Sequence, residues 1–180
     1  MNVYLIGAMG SGKSTVGRKL AAKLGWIFRD TDSMIEEAEG MSVANLFINF
    51  GEEAFRRMES SVINELAKET DLVVSCGGGT PCFHDNMDIM KNSGVVVYLK
   101  MSPEALLQRV EPGKDTRPLI RSLEGPELLE KITSLLKERE ELFEKAHITI
   151  SGLSVNLSGL IEEIDSFLNK KDSFSSFGKE

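Results

Sequence analysis

Short apolar runs alternate with amphipathic stretches along the whole chain. Residues 2–6, NVYLI, are β-branched and aromatic and stop at Gly7, which is the pattern of a buried strand. Residues 13–24, KSTVGRKLAAKL, repeat apolar side chains at Val16, Leu20 and Leu24 and end at Gly25, which predicts a helix. A second strand is expected over 26–32, WIFRDTD, running into a polar turn, then a short helix over 33–40. Ser42 is placed to cap another helix through about Asn49. The stretch 51–69 predicts a longer helix with Phe55, Met58, Val62 and Leu66 on its apolar face. LVVSC (72–76) and GVVVYLK (94–100) read as strands three and four, with a helix between them over about 85–91. Ser102 and Pro103 open a helix through 110. Residues 111–126 carry three prolines, two glycines and three basic residues and read as a mobile loop. A charged amphipathic helix is expected over 127–145, a fifth short strand at ITIS, and a last helix over 155–168.

Near-continuous apolar strands alternating with helices predict an α/β fold, a three-layer αβα arrangement around a five-stranded parallel sheet. Residues 1–168 form one domain in this reading, and 169–180, without periodicity, a disordered tail. Ligands on such sheets bind at the C-terminal ends of the strands. The segments 7–15, 30–32 and 77–80 should therefore meet at one edge.

The chain has 180 residues, is 41% hydrophobic and 27% charged, and carries a net charge of −7. Those values fit one globular core and argue against a general nucleic-acid binder, whose footprint would be basic. Cys76 and Cys82 are too few for a disulfide scaffold and match no common zinc spacing, so reduced thiols are expected. His84 and His147 stand alone and read as structural or surface residues. There is no leader pattern and no apolar stretch of membrane-spanning length, which points to a cytoplasmic protein with no membrane partner.

Gly7, Gly12, Lys13 and Ser14 fit G-x-x-x-x-G-K-[ST] between an expected strand and an expected helix. The glycines let the backbone turn successive N–H groups onto phosphate oxygens, and the helix start presents its dipole to the same anion. Lys13 reaches the β/γ oxygens, and the Ser14 hydroxyl can ligate Mg²⁺. A nucleoside triphosphate is the expected ligand. The strand LVVSC ends without an acid, so the metal carboxylate is sought at Asp30 and Asp32. Two apart on an extended chain, they would share a face, one near the metal and one near an acceptor hydroxyl. The competing reading makes both turn or cap residues.

Arg56 and Arg57 pair at i,i+4 with Glu52 and Glu53, which suits a solvated helix face; alternatively, one arginine forks onto an anionic substrate, held by Glu59. Three consecutive glycines, Gly77, Gly78 and Gly79, suggest a close backbone approach to a ligand, against a plain flexible turn. Arg117, in the Pro/Gly-rich loop, can neutralise a transferring phosphoryl group, and closure of that loop would exclude water. On composition alone it is also a plausible surface arginine, and Arg139, in a Lys/Glu-rich helix, more so.

Taken in order, GAMGSGKSTVGRKLA, DTDSMIE, GEEAFRRMES, SCGGGTP and TRPL resemble the shikimate kinases over about residues 2–165. The resemblance implies a P-loop kinase fold with a helical substrate-binding region at about 32–60 and a lid at about 111–125. It implies ATP and Mg²⁺ and transfer of the γ-phosphoryl group to the 3-hydroxyl of shikimate. Gly10, Ser11, Gly12, Lys13, Ser14 and Thr15 would hold the ATP phosphates, Arg109 would stack on adenine, and Ser14 and Asp30 would serve the metal. Asp32, Arg56, Gly77, Gly78, Gly79 and Arg139 would bind the acceptor, with Glu59 orienting Arg56. Lys13, Asp32 and Arg117 would be catalytic, in a monomer acting on small molecules. The segment ISGLSVN lacks the basic and proline residues that family members often place against adenine, so no adenine contact is assigned there. A gluconate kinase on the same scaffold, or a silent nucleotide-binding protein, are the competing readings. The DTD, FRR and GGG set disfavours the former and the retained Lys13, Asp32 and arginines disfavour the latter.

Overall fold

The computed structural model describes residues 1–112 and 117–176, with the side chains of the last helix described through residue 169. Five strands form one parallel sheet in the order β2-β3-β1-β4-β5. They are β1 (Asn2–Ile6), β2 (Ile27–Asp30), β3 (Leu72–Ser75), β4 (Gly94–Lys100) and β5 (Ile148–Ser151). The helices are α1 (Lys13–Leu24), α2 (Thr31–Glu39), α3 (Val43–Leu66), α4 (Asn86–Ser93), α5 (Pro103–Val110), α6 (Gly125–Phe143) and α7 (Leu157–Ser176). A 3-10 turn spans Thr80–Cys82.

The central strands are buried at every position but Lys100 because both sheet faces are covered, and all but their end residues are apolar. Tyr4 and Ile6 of β1 join a core with α3, α4, α5 and α6, while Val3 and Leu5 join one with α1 and α7. Strand β1 lies between β3 and β4, so the chain leaves the sheet in opposite lateral directions on either side of it. That switch point opens a crevice at the strand ends, and the phosphate-loop sequence sits there. Leu5 pairs in register with Ser75, which pairs with Asp30, bringing the ends of β1, β3 and β2 level.

The expected αβα architecture and all five strands are present. Three local expectations need correcting. Asp30 ends β2 and caps α2, its side chain accepting from Ser33 N at 3.4 Å, so the helix begins at Thr31 and not at residue 33. Asp30 and Asp32 are therefore not two positions of one extended chain: one is a cap and the other lies in the first helical turn. The stretches 42–49 and 51–69 form one element with a bend at Gly51, whose φ of 80° and ψ of 170° are outside the helical region. The buried face of α3 includes Phe55, Ile63 and Leu66 but also the charged Arg56 and Glu59, while Met58 and Val62 are only partly buried. Two ionic side chains displace the apolar register, and both line the crevice.

Helix α7 continues to Ser176, past residue 168 where the sequence pattern ends it. Parts of the expected lid (113–116) and tail (177–180) lie outside the described residues. Among the described residues no helix is long and apolar enough to cross a membrane, both cysteines are free thiols, and no cluster of three or more His, Cys, Asp or Glu side chains is poised to hold a metal.

Candidate active site

Between β1 and α1 the chain curls through Gly10 and Gly12, at φ of 79° and 96°. Gly12 occupies the cap position of α1 in left-handed geometry, and it offers no side chain to the first-turn N–H groups. Those donors and the positive end of the helix are left for an anion. Lys13 is buried and turned back along the loop, with Nζ donating to Gly7 O at 2.8 Å and Ala8 O at 2.9 Å. Burial lowers its pKa to about 8, opposed by the nearby acids Asp32 and Asp30. It is thus a cation held at some cost, ready to exchange two carbonyls for phosphate oxygens.

The next residue points the other way. Ser14 Oγ donates to Asp30 Oδ2 at 2.8 Å and lies 3.1 Å from Ser75 Oγ. Three side-chain oxygens from α1, β2 and β3 thus converge beside the phosphate loop. A hydroxyl and one carboxylate suit Mg²⁺, which keeps several waters and takes its remaining oxygens from phosphates. Ser75 is absent from the sequence-based site; its only signal is a polar residue near the end of an apolar strand.

A cleft of about 650 Å³ runs from this point along Gly10, Gly12, Lys13, Ser14 and Thr15 to Arg109, Arg117, Gly152, Leu153 and Val155. Ser11, also assigned to phosphates, is buried beneath the loop and does not line the cleft. Arg109 reaches from α5 to the loop, Nη1 donating to Ser11 O at 3.3 Å. Opposite it, Leu153 is 63% exposed, a large apolar side chain in a position suited to a planar base. The segment after β5, to which the sequence assigns no adenine contact, therefore does border the cleft, with aliphatic side chains.

A second cleft of about 400 Å³ adjoins the first. Asp32, Phe47, Phe55, Arg56, Gly77–Gly79 and Arg139 line it, and Arg117 lines both clefts. Arg56 is 5% exposed, held by Glu59 Oε2 on Nη1 and by Glu52 Oε1 on Nη2, each at 2.7 Å. Burial opposes its charge, yet the ion pairs with Glu59 and Glu52 more than offset this and raise its pKa. The Phe83 ring stacks 4.3 Å from the guanidinium carbon. Gly79 lies flat against the same group: a Cβ there would sit 2.7 Å from Nη1. Arg139 comes in from α6, buried, with Nη1 donating to Gly78 O at 3.2 Å. Arg57, one residue along from Arg56, is 60% exposed and pairs with Glu53 in solvent. The i,i+4 pattern is the same for both arginines, and only the packing separates them.

Asp32 completes the second cleft. Its Oδ1 is buried without a hydrogen-bond partner among the described residues. Burial, then the like charges of Glu59 and Asp30, push its carboxyl up to about 7. A carboxyl so poised can take a proton from a hydroxyl near neutral pH. The arrangement joins an anion cradle and a metal corner to a pocket holding two buried guanidinium groups and a proton acceptor.

Comparison with known proteins gives a consistent picture. The family model for shikimate kinase matches residues 9–168. A shikimate kinase of Parabacteroides distasonis is 41% identical over 168 residues, covering 93% of this chain and 97% of that protein. A solved structure of shikimate kinase from Acinetobacter baumannii in complex with shikimate superposes with a TM-score of 0.83 at 37% identity, covering 94% of this chain and 93% of the other. The shikimate kinase structure from Bacteroides thetaiotaomicron gives 0.84 at 32% identity, covering 94% and 98%.

Proposed function

The chain belongs to the shikimate kinase family, ATP-dependent enzymes that phosphorylate a hydroxyl group, and from that membership we propose how its own residues act. The reaction transfers the γ-phosphoryl group of ATP to the 3-hydroxyl of shikimate, giving shikimate 3-phosphate and ADP in aromatic amino-acid (chorismate) biosynthesis. The observation that carries the proposal is the meeting of the two clefts: Arg117 lines both, with Lys13 on one side and Asp32 on the other.

ATP lies in the larger cleft, its phosphates on the N–H groups of residues 10–15 and its base between Arg109 and the Leu153–Val155 segment. Shikimate lies in the smaller one, its carboxylate between Arg56 and Arg139, with the N–H of Gly78 available to it. Two buried cations in a chain of net charge −7 support an anionic acceptor. Ser14 and Asp30 would hold Mg²⁺, which supplies charge neutralisation on the β- and γ-phosphates when bound. Asp32 Oδ1 takes the 3-hydroxyl proton as the oxygen forms its bond to phosphorus and the bond to ADP breaks. Lys13 and Arg117 stabilise charge on the transferring oxygens, a contribution of about 3 kcal/mol for one well-placed donor. The lid, closing with Arg117, keeps water from competing. The protein acts as a cytoplasmic monomer with no nucleic-acid or membrane partner; its acidic net charge supports the former exclusion.

ADP release with Mg·ATP and a panel of acceptors tests this. Rapid turnover is expected with shikimate and not with gluconate, a nucleoside monophosphate or water alone. Turnover on gluconate would mean that the pocket is right and its occupant wrong. ATP binding without turnover on any acceptor would overturn the enzymatic reading.

A further inference from the structure

The arginine that faces the acceptor is held by a chain of contacts that leads away from both clefts. Arg56 Nη1 donates to Glu59 Oε2, and the other carboxylate oxygen of Glu59 accepts from the Thr80 hydroxyl. Thr80 is fixed in turn: its N–H donates to Gly77 O at 3.1 Å, and its carbonyl accepts from Asn86 Nδ2 at 2.8 Å. Glu59 is 1% exposed, and Thr80 and Asn86 are fully buried. Thr80 lines neither cleft. Its neighbours show how little play the arrangement has. A Cβ on Gly77 would meet Glu59 Oε1, Asp32 Oδ1 and Thr80 Oγ1 together, all within 2.8 Å.

We propose that Thr80 is a positioning residue for acceptor binding: its hydroxyl holds the Glu59 carboxylate, which holds Arg56 at the angle the acceptor's carboxylate requires. This rests on the proposed function, since it takes the occupant of the smaller cleft to be a carboxylate. The physical argument is the cost of an unpaired buried acceptor. Without the hydroxyl, Glu59 Oε1 loses its donor while still excluded from water. The carboxylate must then rotate towards another donor, and Arg56, bonded to its other oxygen, moves with it. Arg56 is on the carboxylate side of the acceptor, away from the phosphoryl group. Displacing it weakens binding of ground state and transition state alike, which appears in KM and not in kcat.

Thr80→Val and Thr80→Ala remove the hydroxyl, one keeping the branched shape and the other relieving any crowding. Thr80→Ser keeps the hydroxyl. Steady-state kinetics on the full chain, with thermal melting as a check of folding, should give a shikimate KM raised about tenfold for the hydroxyl-free variants. Their kcat and their KM for ATP should stay within about twofold, and Thr80→Ser should match the wild type within about twofold. An unchanged shikimate KM in either folded hydroxyl-free variant overturns the proposal. So does an equal loss in Thr80→Ser, or a parallel rise in the KM for ATP, since each would mark Thr80 as a packing residue. Failure of the wild-type control to turn over shikimate would instead overturn the functional reading on which the proposal rests.

Discussion

Replacing Asp32 by Asn should make the protein more stable and nearly inactive. Burial first, and then the charges of Glu59 and Asp30, carry this carboxyl from 3.8 to about 7. The unfolded chain gives up the proton near the lower value and the folded chain near the higher. Between them the folded state holds the extra proton, so wild-type stability falls as pH rises through that window. Above it the full penalty stands. Three pKa units at about 1.4 kcal/mol each correspond to roughly 4 kcal/mol. The carboxylate borders an open cleft where water and side chains relax around it, so about 2 kcal/mol is the expected gain for Asp32→Asn at pH near 8. Urea unfolding of both ligand-free proteins, in buffer containing a chelator, reads this directly. The difference should grow between pH of about 4 and about 7 and then level off, because the Asp32 carboxyl titrates only in the wild type. The same variant should lose about 10²- to 10⁴-fold in kcat, as expected when a group that takes a proton is removed. A variant no more stable than wild type near pH 8, or a difference that ignores pH, would refute the claim that Asp32 is held against its preferred ionisation.

The remaining predictions concern the cations and the glycine beside them. Lys13→Ala should lower kcat about 10²-fold or more in the ADP-release assay, and turnover retained at wild-type level would remove the phosphate loop from the mechanism. Arg56→Ala should weaken shikimate binding by about 2–4 kcal/mol in a calorimetric titration while ATP affinity barely moves. Arg57→Ala, at an exposed pair, should change either by less than about 0.5 kcal/mol, and equal losses of both ligands in Arg56→Ala would sink its role. Gly79→Ala places a methyl group 2.7 Å from Arg56 Nη1, so it should raise the KM for shikimate and spare that for ATP. An unaffected shikimate KM would show that the guanidinium has room to shift.

Much of this site is local in sequence and so could be read there. The phosphate loop is one continuous segment, and its glycines, lysine and serine carry their geometry with them. The three central strands are legible because burial on both faces leaves few positions for polar residues, while the edge strands β2 and β5 are partly exposed and are marked only by short apolar runs. What stays hidden is decided by packing between distant segments. Arg56 and Arg57 have identical i,i+4 partners, and only the rotation of α3 against the sheet buries one and exposes the other. Arg139 looks like one more charge on a Lys/Glu-rich helix until α6 brings it to Gly78. Ser75 and Thr80 are single hydroxyls, and what they do depends on partners 61 and 21 residues away. Asp30 shows the reverse: the local cap that its residue type announces is there, and the same side chain also meets Ser14 at the crevice. The aliphatic wall at Leu153 and Val155 carries no motif, because an apolar lining needs only surface and no particular spacing of residue types.

The most direct measurement is the identity of the phosphorylated product. Incubation with Mg·ATP and shikimate, followed by phosphorus and proton NMR, should show a single phosphate ester coupled to the ring proton at carbon 3. One ADP should form for each ester, with no inorganic phosphate above the acceptor-free control. An ester on another hydroxyl would contradict the placement of Asp32 beside the 3-hydroxyl, and inorganic phosphate in place of an ester would contradict phosphoryl transfer between the two clefts.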